Sequence, residues 1–502
     1  MEPAFASSRV AGGSILALAA GKRWRRDAKL VLIAASALAA FDSVRAGPPA
    51  SPALVVQKET NPFSLAGGRV VFDLEERIRL ESRDNNRDFN SALNDDNDDT
   101  WLLNRFRLGL TLKPVAWLKF YTQTQDSREA FSERANIPGV RGAEGDDIFD
   151  LRQLFLQIGD PKAFPLLLTV GRQALNYGDN RLVADSRWGN FGRTFDAVRL
   201  RFEQSRSWLE SFYARPVQIR RHEFDDGDAA DHLAGVYFST ELVPRQTTDL
   251  YLFYRNKEGT QPDLDPTNRT DPQGTWNGPA ARFVTVGARV KSKANALHGW
   301  DYTAEAAYQT GDLYQSTRAS QRFDLSTFAT HVSGGYTFAE VPWKPRLGAE
   351  YNFASGDHNP NDGNSESFQN LFPSNHEKYG FMDEFAWRNL HDARVQLSAK
   401  PVNRLELQVD YHAFWLADTH DFWYRSNGHS ILRTTTPDGR DVRTIGARNF
   451  AGQEIDLTAT YELRKWVKVQ AGYSHFFAGS YLEDTGAHDD ADFGYLMATF
   501  SF

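Results

Sequence analysis

The chain of 502 residues has no cysteine and only three methionines. The missing thiols exclude thiolate catalysis, and they suit a chain that crosses an oxidising compartment, where stray cysteines could mispair. Beyond the N-terminus there is no apolar run near the roughly 18–20 residues that a spanning helix needs, which excludes a helical membrane protein. A formal net charge of −8 argues against a nucleic-acid binder, whose binding surface is basic.

Aromatic residues, in contrast, are abundant, with 35 Phe, 18 Tyr and 12 Trp in a sequence that is otherwise polar. A transmembrane β-barrel explains this combination because half of its strand residues face a wet lumen, while aromatics form girdles at both membrane interfaces. A large soluble all-β protein is the alternative that composition leaves open.

The last eleven residues alternate between two faces. Gly494, Leu496, Ala498, Phe500 and Phe502 share one of them. This pattern is typical of the final strand of an outer-membrane barrel, which closes against the first strand and faces lipid. Its terminal Phe resembles the signal read by the barrel-assembly machinery. We therefore expect this machinery and outer-membrane lipid to be partners of the protein.

The N-terminal region has the organisation of a secretory leader. Residues 22–26 are basic, residues 30–40 form an apolar core of about the length typical of signal peptides, and small residues precede a cut after Ala46. The sequence thus predicts a signal peptide over 1–46, a periplasmic lead-in over 47–68 and a barrel over 69–502.

Alternating segments predict eighteen strands, an even number within the range of bacterial barrels. Their predicted ranges are 69–82, 101–113, 116–126, 147–159, 166–175, 194–204, 206–217, 231–242, 247–257, 282–293, 298–312, 327–339, 345–355, 390–400, 403–417, 452–463, 465–478 and 492–502. Short and long connections alternate strictly between them. The pattern indicates an all-β, antiparallel, up-and-down transmembrane barrel with short periplasmic turns and long extracellular loops.

Charged residues within these strands fall mostly on the face opposite the apolar one. Arg105 and Arg107 oppose leucines, and Arg199 and Arg201 oppose Val198, Leu200 and Phe202. Because an Arg on the lipid face near the midplane costs roughly 2–4 kcal/mol, these four are expected to line the lumen. Acidic residues of the same parity nearly balance them, so Arg–Glu pairs that merely rigidify the lumen are the alternative, and ion selectivity stays open.

Two arginines break this alternation. Arg152 shares parity with Leu154 and Leu156, and Arg172 shares parity with Leu168 and Val170. Either a β-bulge changes the register at these points, or each Arg lies near a strand end and extends to the interface.

Catalytic motifs are missing, so the sequence predicts no enzyme and no cofactor. His412 has lumen parity and is interpreted as a solvated pore histidine. The acidic run that contains Asp95, Asp96, Asp98 and Asp99 offers oxygen ligands for Ca²⁺. It lacks the Gly and the distal Glu of an EF-hand, so a solvated loop is the preferred interpretation.

One stretch resembles the alginate export family of outer-membrane barrels. The motifs are Asp150-Leu151-Arg152-Gln153, Gly171-Arg172-Gln173, Ser186-Arg187-Trp188-Gly189-Asn190 and Asp410 to Trp415. The resemblance implies a monomeric barrel of about eighteen strands that passes a polyuronate passively through an Arg-lined constriction. It implies Arg152 and Arg172 as constriction residues, with Arg105 or Arg107 beside them. Gln153 and Asn190 stand where acidic residues are expected.

The first functional hypothesis is therefore a channel in the outer membrane of a Gram-negative bacterium for an anionic polysaccharide or related acidic solute. A less specific uptake porin is the second. A barrel whose loops serve adhesion or enzymatic work is the third, since the long stretches 356–389 and 418–451 permit it.

Overall fold

A computed structural model describes residues 63–93, 98–134, 136, 144–221, 223–258, 280–314, 322–428 and 431–502. The predicted signal peptide 1–46 and most of the predicted lead-in lie outside the described residues. The last part of that lead-in lies within them: the two-residue strand Ser64–Leu65 pairs with the start of the first long strand.

The described residues contain eighteen long strands. All eighteen predicted strands are found within a few residues of their expected ranges. They are β1 Val70–Asp84, β2 Asp99–Val115, β3 Leu118–Ala130, β4 Asp147–Ile158, β5 Leu166–Gln173, β6 Phe195–Gln204, β7 Ser207–Gln218, β8 Asp231–Thr240, β9 Gln246–Lys257, β10 Ala281–Ser292, β11 Trp300–Tyr314, β12 Arg322–Thr337, β13 Arg346–Ala354, β14 Leu390–Val402, β15 Leu405–Trp415, β16 Phe450–Arg464, β17 Val467–Ala478 and β18 Ala491–Ser501.

The strands close into a barrel because the last one pairs with the first. β1 lies antiparallel to β18 from Glu75 opposite Ser501 to Asp84 opposite Asp492, and its other edge pairs with β2. The long strands follow one another around the ring in chain order, each antiparallel to its neighbours. This confirms the predicted up-and-down barrel, an arrangement in which no open sheet edge is left to meet lipid.

Other elements are short. They are the helix α1 at Ser480–Thr485, 3₁₀ turns at Ala66–Gly68 and Val442–Thr444, and two-residue strands at Asp226–Gly227 and Asn364–Ser365. Among the residues that the structure describes, no helix is both long and apolar enough to span a membrane.

The two faces of each strand differ as the alternation predicts. In β1, Ile78 and Leu80 are about two-fifths exposed on the outer face, whereas Arg77 and Arg79 are buried inside. Period two therefore separates a lipid-facing apolar surface from a polar lumen.

Two long connections fold into the lumen instead of extending outward. We name residues 174–194 the first lumen loop and residues 355–389 the second lumen loop. They run side by side: the N–H of Ala184 donates to the carbonyl of Phe372 (2.8 Å), and the N–H of Phe372 donates to the carbonyl of Leu182 (2.7 Å). Their buried Val183, Phe372 and other apolar side chains form a core with inward aromatic residues of the wall.

Candidate functional site

Antiparallel pairing of β1 and β2 places arginines side by side on the inner face. Arg77 lies opposite Arg105, and Glu75 lies opposite Arg107, while Arg79 follows two residues along β1. Like charges directly opposite each other destabilise a sheet unless other groups compensate them. The four guanidinium groups therefore need partners from elsewhere in the barrel.

A β-bulge in β4 adds a fifth arginine. Gln153 pairs with Gln123 and Leu151 pairs with Thr124, so Arg152 is the extra residue between them. Because of the bulge, the side chain of Arg152 points into the lumen. Its Nη1 donates to Oε1 of Gln123 at 3.0 Å. Of the two explanations for its parity, the bulge is the one that the structure shows.

We name these five residues, Arg77, Arg79, Arg105, Arg107 and Arg152, the arginine wall. All are less than a tenth exposed. Glu75 contacts Arg105 at 2.6 Å and Arg107 at 3.5 Å, and Arg79 contacts Glu81 at 2.5 Å and Glu144 at 3.7 Å. Among the described residues, Arg77 and Arg152 have no carboxylate oxygen within 4.0 Å. The wall therefore carries more positive charge than its carboxylate neighbours neutralise.

Backbone carbonyls of the first lumen loop supply the remaining partners. Arg77 donates to the carbonyl of Arg187 (2.9 Å), Arg79 to Trp188 (2.7 Å), Arg105 to Gly189 (3.0 Å) and Arg107 to Phe191 (3.2 Å). In addition, the guanidinium of Arg79 lies 3.9 Å from the centre of the Trp188 ring, a cation–π distance.

The buried Asn190 shows why an amide suits the tip of this loop. Its Nδ2 donates to the carbonyls of Asn104 (3.1 Å) and Arg128 (3.3 Å), and its Oδ1 accepts from Arg77 (3.2 Å). An ionised carboxylate could accept but not donate. The departure of Asn190 from an acidic residue thus has a structural reason.

The opposite end of the first lumen loop is anchored far around the barrel. Asp179 lies 2.9 Å from Arg289 of β10, and Arg181 lies 2.8 Å from Glu350 of β13. Although burial opposes ionisation, Arg289 lowers the pKa of Asp179 to about 2, so this anchor is charged. Since β1 and β10 are nine strands apart in a ring of eighteen, a loop that contacts both crosses the lumen.

A second group of inward charges is acidic. We name Asp392, Asp410, Glu454 and Asp456, on β14 to β16, the acidic wall; none of them has exposed surface. Arg394 contacts Asp410 at 2.7 Å, and the N–H of Met382 in the second lumen loop donates to Glu454 at 2.9 Å.

His412 lies within the acidic wall and is only 1% exposed. Its Nδ1 lies 2.9 Å from Asp392, and its ring stacks on Phe414. The interpretation of His412 as a solvated pore histidine was therefore wrong, because Phe385 of the second lumen loop covers Phe414 beside it.

The remaining predicted site residues lie apart from the arginine wall. Arg199 and Arg201 face inward but share Glu210 at 3.0 and 2.7 Å. Arg172 lies one residue from the end of β5, opposite Asp196 and Leu154 on the outward face, and pairs with Asp196 at 2.9 Å. Its position agrees with the strand-end explanation.

The candidate calcium run is only partly described. Asp95 and Asp96 lie outside the described residues. Asp98 accepts a hydrogen bond from the N–H of Asn85, and Asp99 pairs with Arg134 at 3.2 Å.

Residues 69–495 match the family described as alginate export. The chain belongs to the alginate export family. Solved structures with the same fold include Pseudomonas aeruginosa OpdK with vanillate (TM-score 0.54, 11% identity, 86% of this chain and 98% of that chain) and Acinetobacter baumannii OccAB4 (0.53, 11%, 86% and 97%). Pseudomonas aeruginosa OccK11 (OpdR) is similar at a TM-score of 0.53 and 11% identity, over 86% of this chain and 96% of that one. No curated protein matches this sequence.

This alginate export family barrel has short periplasmic turns and long extracellular loops. At 11% identity the solved barrels establish the fold alone. Family and fold together support an outer-membrane channel for solutes and point to the outer membrane of Gram-negative bacteria.

Proposed function

We propose that this channel passes anionic, carboxylate-bearing solutes by diffusion, an alginate-like polyuronate among them, past the arginine wall. The observation that carries this proposal is the excess of guanidinium groups where the first lumen loop crosses the barrel. Five arginines meet there, and two of them, Arg77 and Arg152, have no described carboxylate within 4.0 Å.

Guanidinium groups without a carboxylate partner suit an acidic solute. The side chains of the arginine wall are less than a tenth exposed, so they act on a passing uronate mainly through their positive charge. A guanidinium fork also matches a carboxylate with two parallel hydrogen bonds. Binding at several weak sites in succession is what conduction requires, because a solute must leave each site as readily as it enters.

The acidic wall opposes this preference only weakly. Its four carboxylates have no exposed surface, so a solute in the lumen does not contact them. Asp410 is paired with Arg394, and Asp392 lies beside His412. Both walls are buried and act on a solute through their net charge, and these partners reduce the net charge of the acidic wall.

Reversal potentials in planar bilayers under a KCl gradient test the proposal. We expect wild-type channels to prefer anions, and Arg107→Glu combined with Arg152→Glu to lose or invert that preference. Arg440→Glu is the control for charge reversal, because Arg440 is exposed in a loop, where it pairs with Asp438. Unchanged selectivity in the double variant, or an equal change in the control, contradicts the proposal.

A small carboxylated solute is the second candidate, and the filling of the lumen favours it. The two lumen loops and their aromatic core occupy space that a polymer needs. The similar barrel OpdK was solved with vanillate, itself a carboxylate. Current block by oligouronates of increasing length separates the two candidates. A polyuronate channel is expected to bind long oligomers more tightly than short ones. A channel for small solutes is expected to respond only to the monomer and to vanillate.

A further inference from the structure

Three carboxylates from distant parts of the sequence meet at the extracellular rim. Asp147 and Asp150 lie at the start of β4, and Asp225 lies in the loop 219–230 between β7 and β8. One oxygen of each carboxylate lies within 4.8 Å of the corresponding oxygens of the other two. Asp147 and Asp150 are 1% exposed and Asp225 is 9% exposed, so water does not screen their mutual repulsion.

Neighbouring basic side chains are engaged with other acids. The pairs are Arg128 with Asp126, Arg172 with Asp196, and Arg221 with Asp146.

Asp147 in particular lacks compensation. Neither of its carboxylate oxygens has a hydrogen-bond partner among the described residues, and both are buried. An isolated buried carboxylate is strongly unfavourable unless it is paired, hydrogen-bonded or coordinated to a metal. Asp150 and Asp225 are held in place by backbone donors: the N–H of Asp225 donates to Asp150 (2.8 Å), and the N–H of Arg220 donates to Asp225 (2.6 Å). The oxygen of Asp147 thus points at two positioned carboxylates.

The size of the cluster fits a calcium ion. Calcium binds oxygen ligands at about 2.3–2.6 Å, so two ligands on opposite sides of the ion lie up to about 5 Å apart. Magnesium binds at about 2.0–2.1 Å and keeps most of its waters, so it prefers a tighter cluster with fewer protein ligands. An all-oxygen set without His or Cys also disfavours zinc and copper.

We propose that Asp147, Asp150 and Asp225 bind a Ca²⁺ ion at the extracellular rim of the barrel. The ion holds the segment around Asp225 against β4. On its way there the loop passes the ends of β5 and β6, where Arg172 donates to the carbonyl of Asp225 (2.8 Å). Because the chain leaves the wall between these two strands to enter the lumen, the ion braces the barrel where the first lumen loop departs, next to the bulge at Arg152.

Isothermal titration of CaCl₂ into the full-length barrel, refolded in detergent without lipopolysaccharide and stripped with EDTA, tests the site. We expect one saturable ion per chain. The combined variant Asp147→Asn and Asp225→Asn is expected to weaken binding about tenfold or more, because calcium affinity follows the number of charged ligands. Asp438→Asn is the matched control, since Asp438 is an exposed loop acid that pairs with Arg440.

Thermal unfolding provides the second measurement. Calcium is expected to raise the unfolding temperature of the wild type and of Asp438→Asn, and to leave the double variant unchanged. Asn removes the repulsion without changing side-chain size, so the double variant is expected to fold and to match or exceed the calcium-free wild type in unfolding temperature. Absence of saturable Ca²⁺ binding by the wild type overturns the proposal. So does a double variant that still binds Ca²⁺ with wild-type affinity.

Discussion

The arginine wall and the acidic wall arise from the same strand alternation, yet the protein stabilises them differently. On the arginine wall, the first lumen loop turns its carbonyls toward the guanidinium groups of Arg77, Arg79, Arg105 and Arg107. On the acidic wall, the second lumen loop turns the N–H of Met382 toward Glu454, and Arg394 neutralises Asp410 directly. Both walls thus combine backbone contacts with side-chain ion pairs. They differ in that Arg77 and Arg152 keep a charge without a described carboxylate within 4.0 Å, whereas an arginine neutralises Asp410.

This difference suits the proposed roles of the two walls. Arginines whose partners are neutral carbonyls keep their positive potential. A carboxylate paired with an arginine contributes order and little potential. Substitutions in each wall can therefore test this difference when both ion selectivity and the stability of the folded barrel are measured.

The largest expected effect is on stability at the acidic wall. Arg394→Gln leaves the fully buried Asp410 without its ion-pair partner, and breaking a buried pair on one side costs about 3–5 kcal/mol. We expect a lower urea midpoint for the folded barrel in detergent micelles. Arg394→Gln combined with Asp410→Asn is the control, and it recovers most of the loss because no unpaired charge remains.

Arg152→Gln gives the corresponding test on the arginine wall. No described carboxylate lies within 4.0 Å of Arg152, so its removal leaves no buried acid unpaired. We expect a loss of about 1 kcal/mol, the usual value for one hydrogen bond, together with reduced anion preference. A loss in urea stability as large as that of Arg394→Gln breaks the distinction between the two walls.

Trp188→Ala tests how the two lumen loops are held together. The Trp188 ring stacks on His376 at 3.7 Å and lies under Arg79 at 3.9 Å. The cation–π contact alone contributes about 0.5–2 kcal/mol, so its loss loosens the crossing loop. We expect larger and noisier single-channel currents than for Trp188→Phe. Identical currents for the two variants would mean that this contact does not hold the loop.

A smaller effect concerns pH. Burial and the nearby Arg181 lower the pKa of Lys378, in the second lumen loop, to about 8. Raising the pH from 7 to 9 therefore removes one positive charge from the lumen, and anion preference falls. In Lys378→Met the reversal potential is expected to stay constant over the same range. Persistence of the pH dependence in that variant assigns it to another group.

Lys378 also makes stability depend on pH: stability rises with pH, whereas the anion preference falls. Because the pKa is lowered, the folded state releases its proton near pH 8, whereas an unfolded Lys retains it until about 10.4. The unfolded state binds more protons in this interval, so wild-type stability rises from pH 8 to about 10.4. Lys378→Met is expected to lack this rise in urea unfolding.

The wall of the barrel could be predicted from the sequence because its signal is local. A period of two places Arg105 and Arg107 inward whatever the rest of the chain does. From the sequence alone, the bulge at Arg152 was one of two alternatives, because a bulge and a strand end disturb the alternation of inward and outward residues in the same way. Register decides between them, and it depends on the partner strand.

The interior could not be predicted because its contacts are long-range. No periodicity marks the loop that carries Phe385, so the burial of His412 was missed. The carboxylate cluster was missed for the same reason. Asp147 and Asp150 form a visible acidic pair at a strand start, but Asp225 joins them only through the fold.

The extra residue in β4 also determines where this strand tolerates the deletion of a residue. With Arg152 absent, Leu151 and Gln153 become neighbours, and outward and inward side chains alternate without interruption from Asp150 to Ile158. Loss of Leu154 or Leu156 instead turns the side chains on one side of the gap onto the wrong surface. A single inserted residue thus separates a regular strand from one that turns an arginine into the lumen.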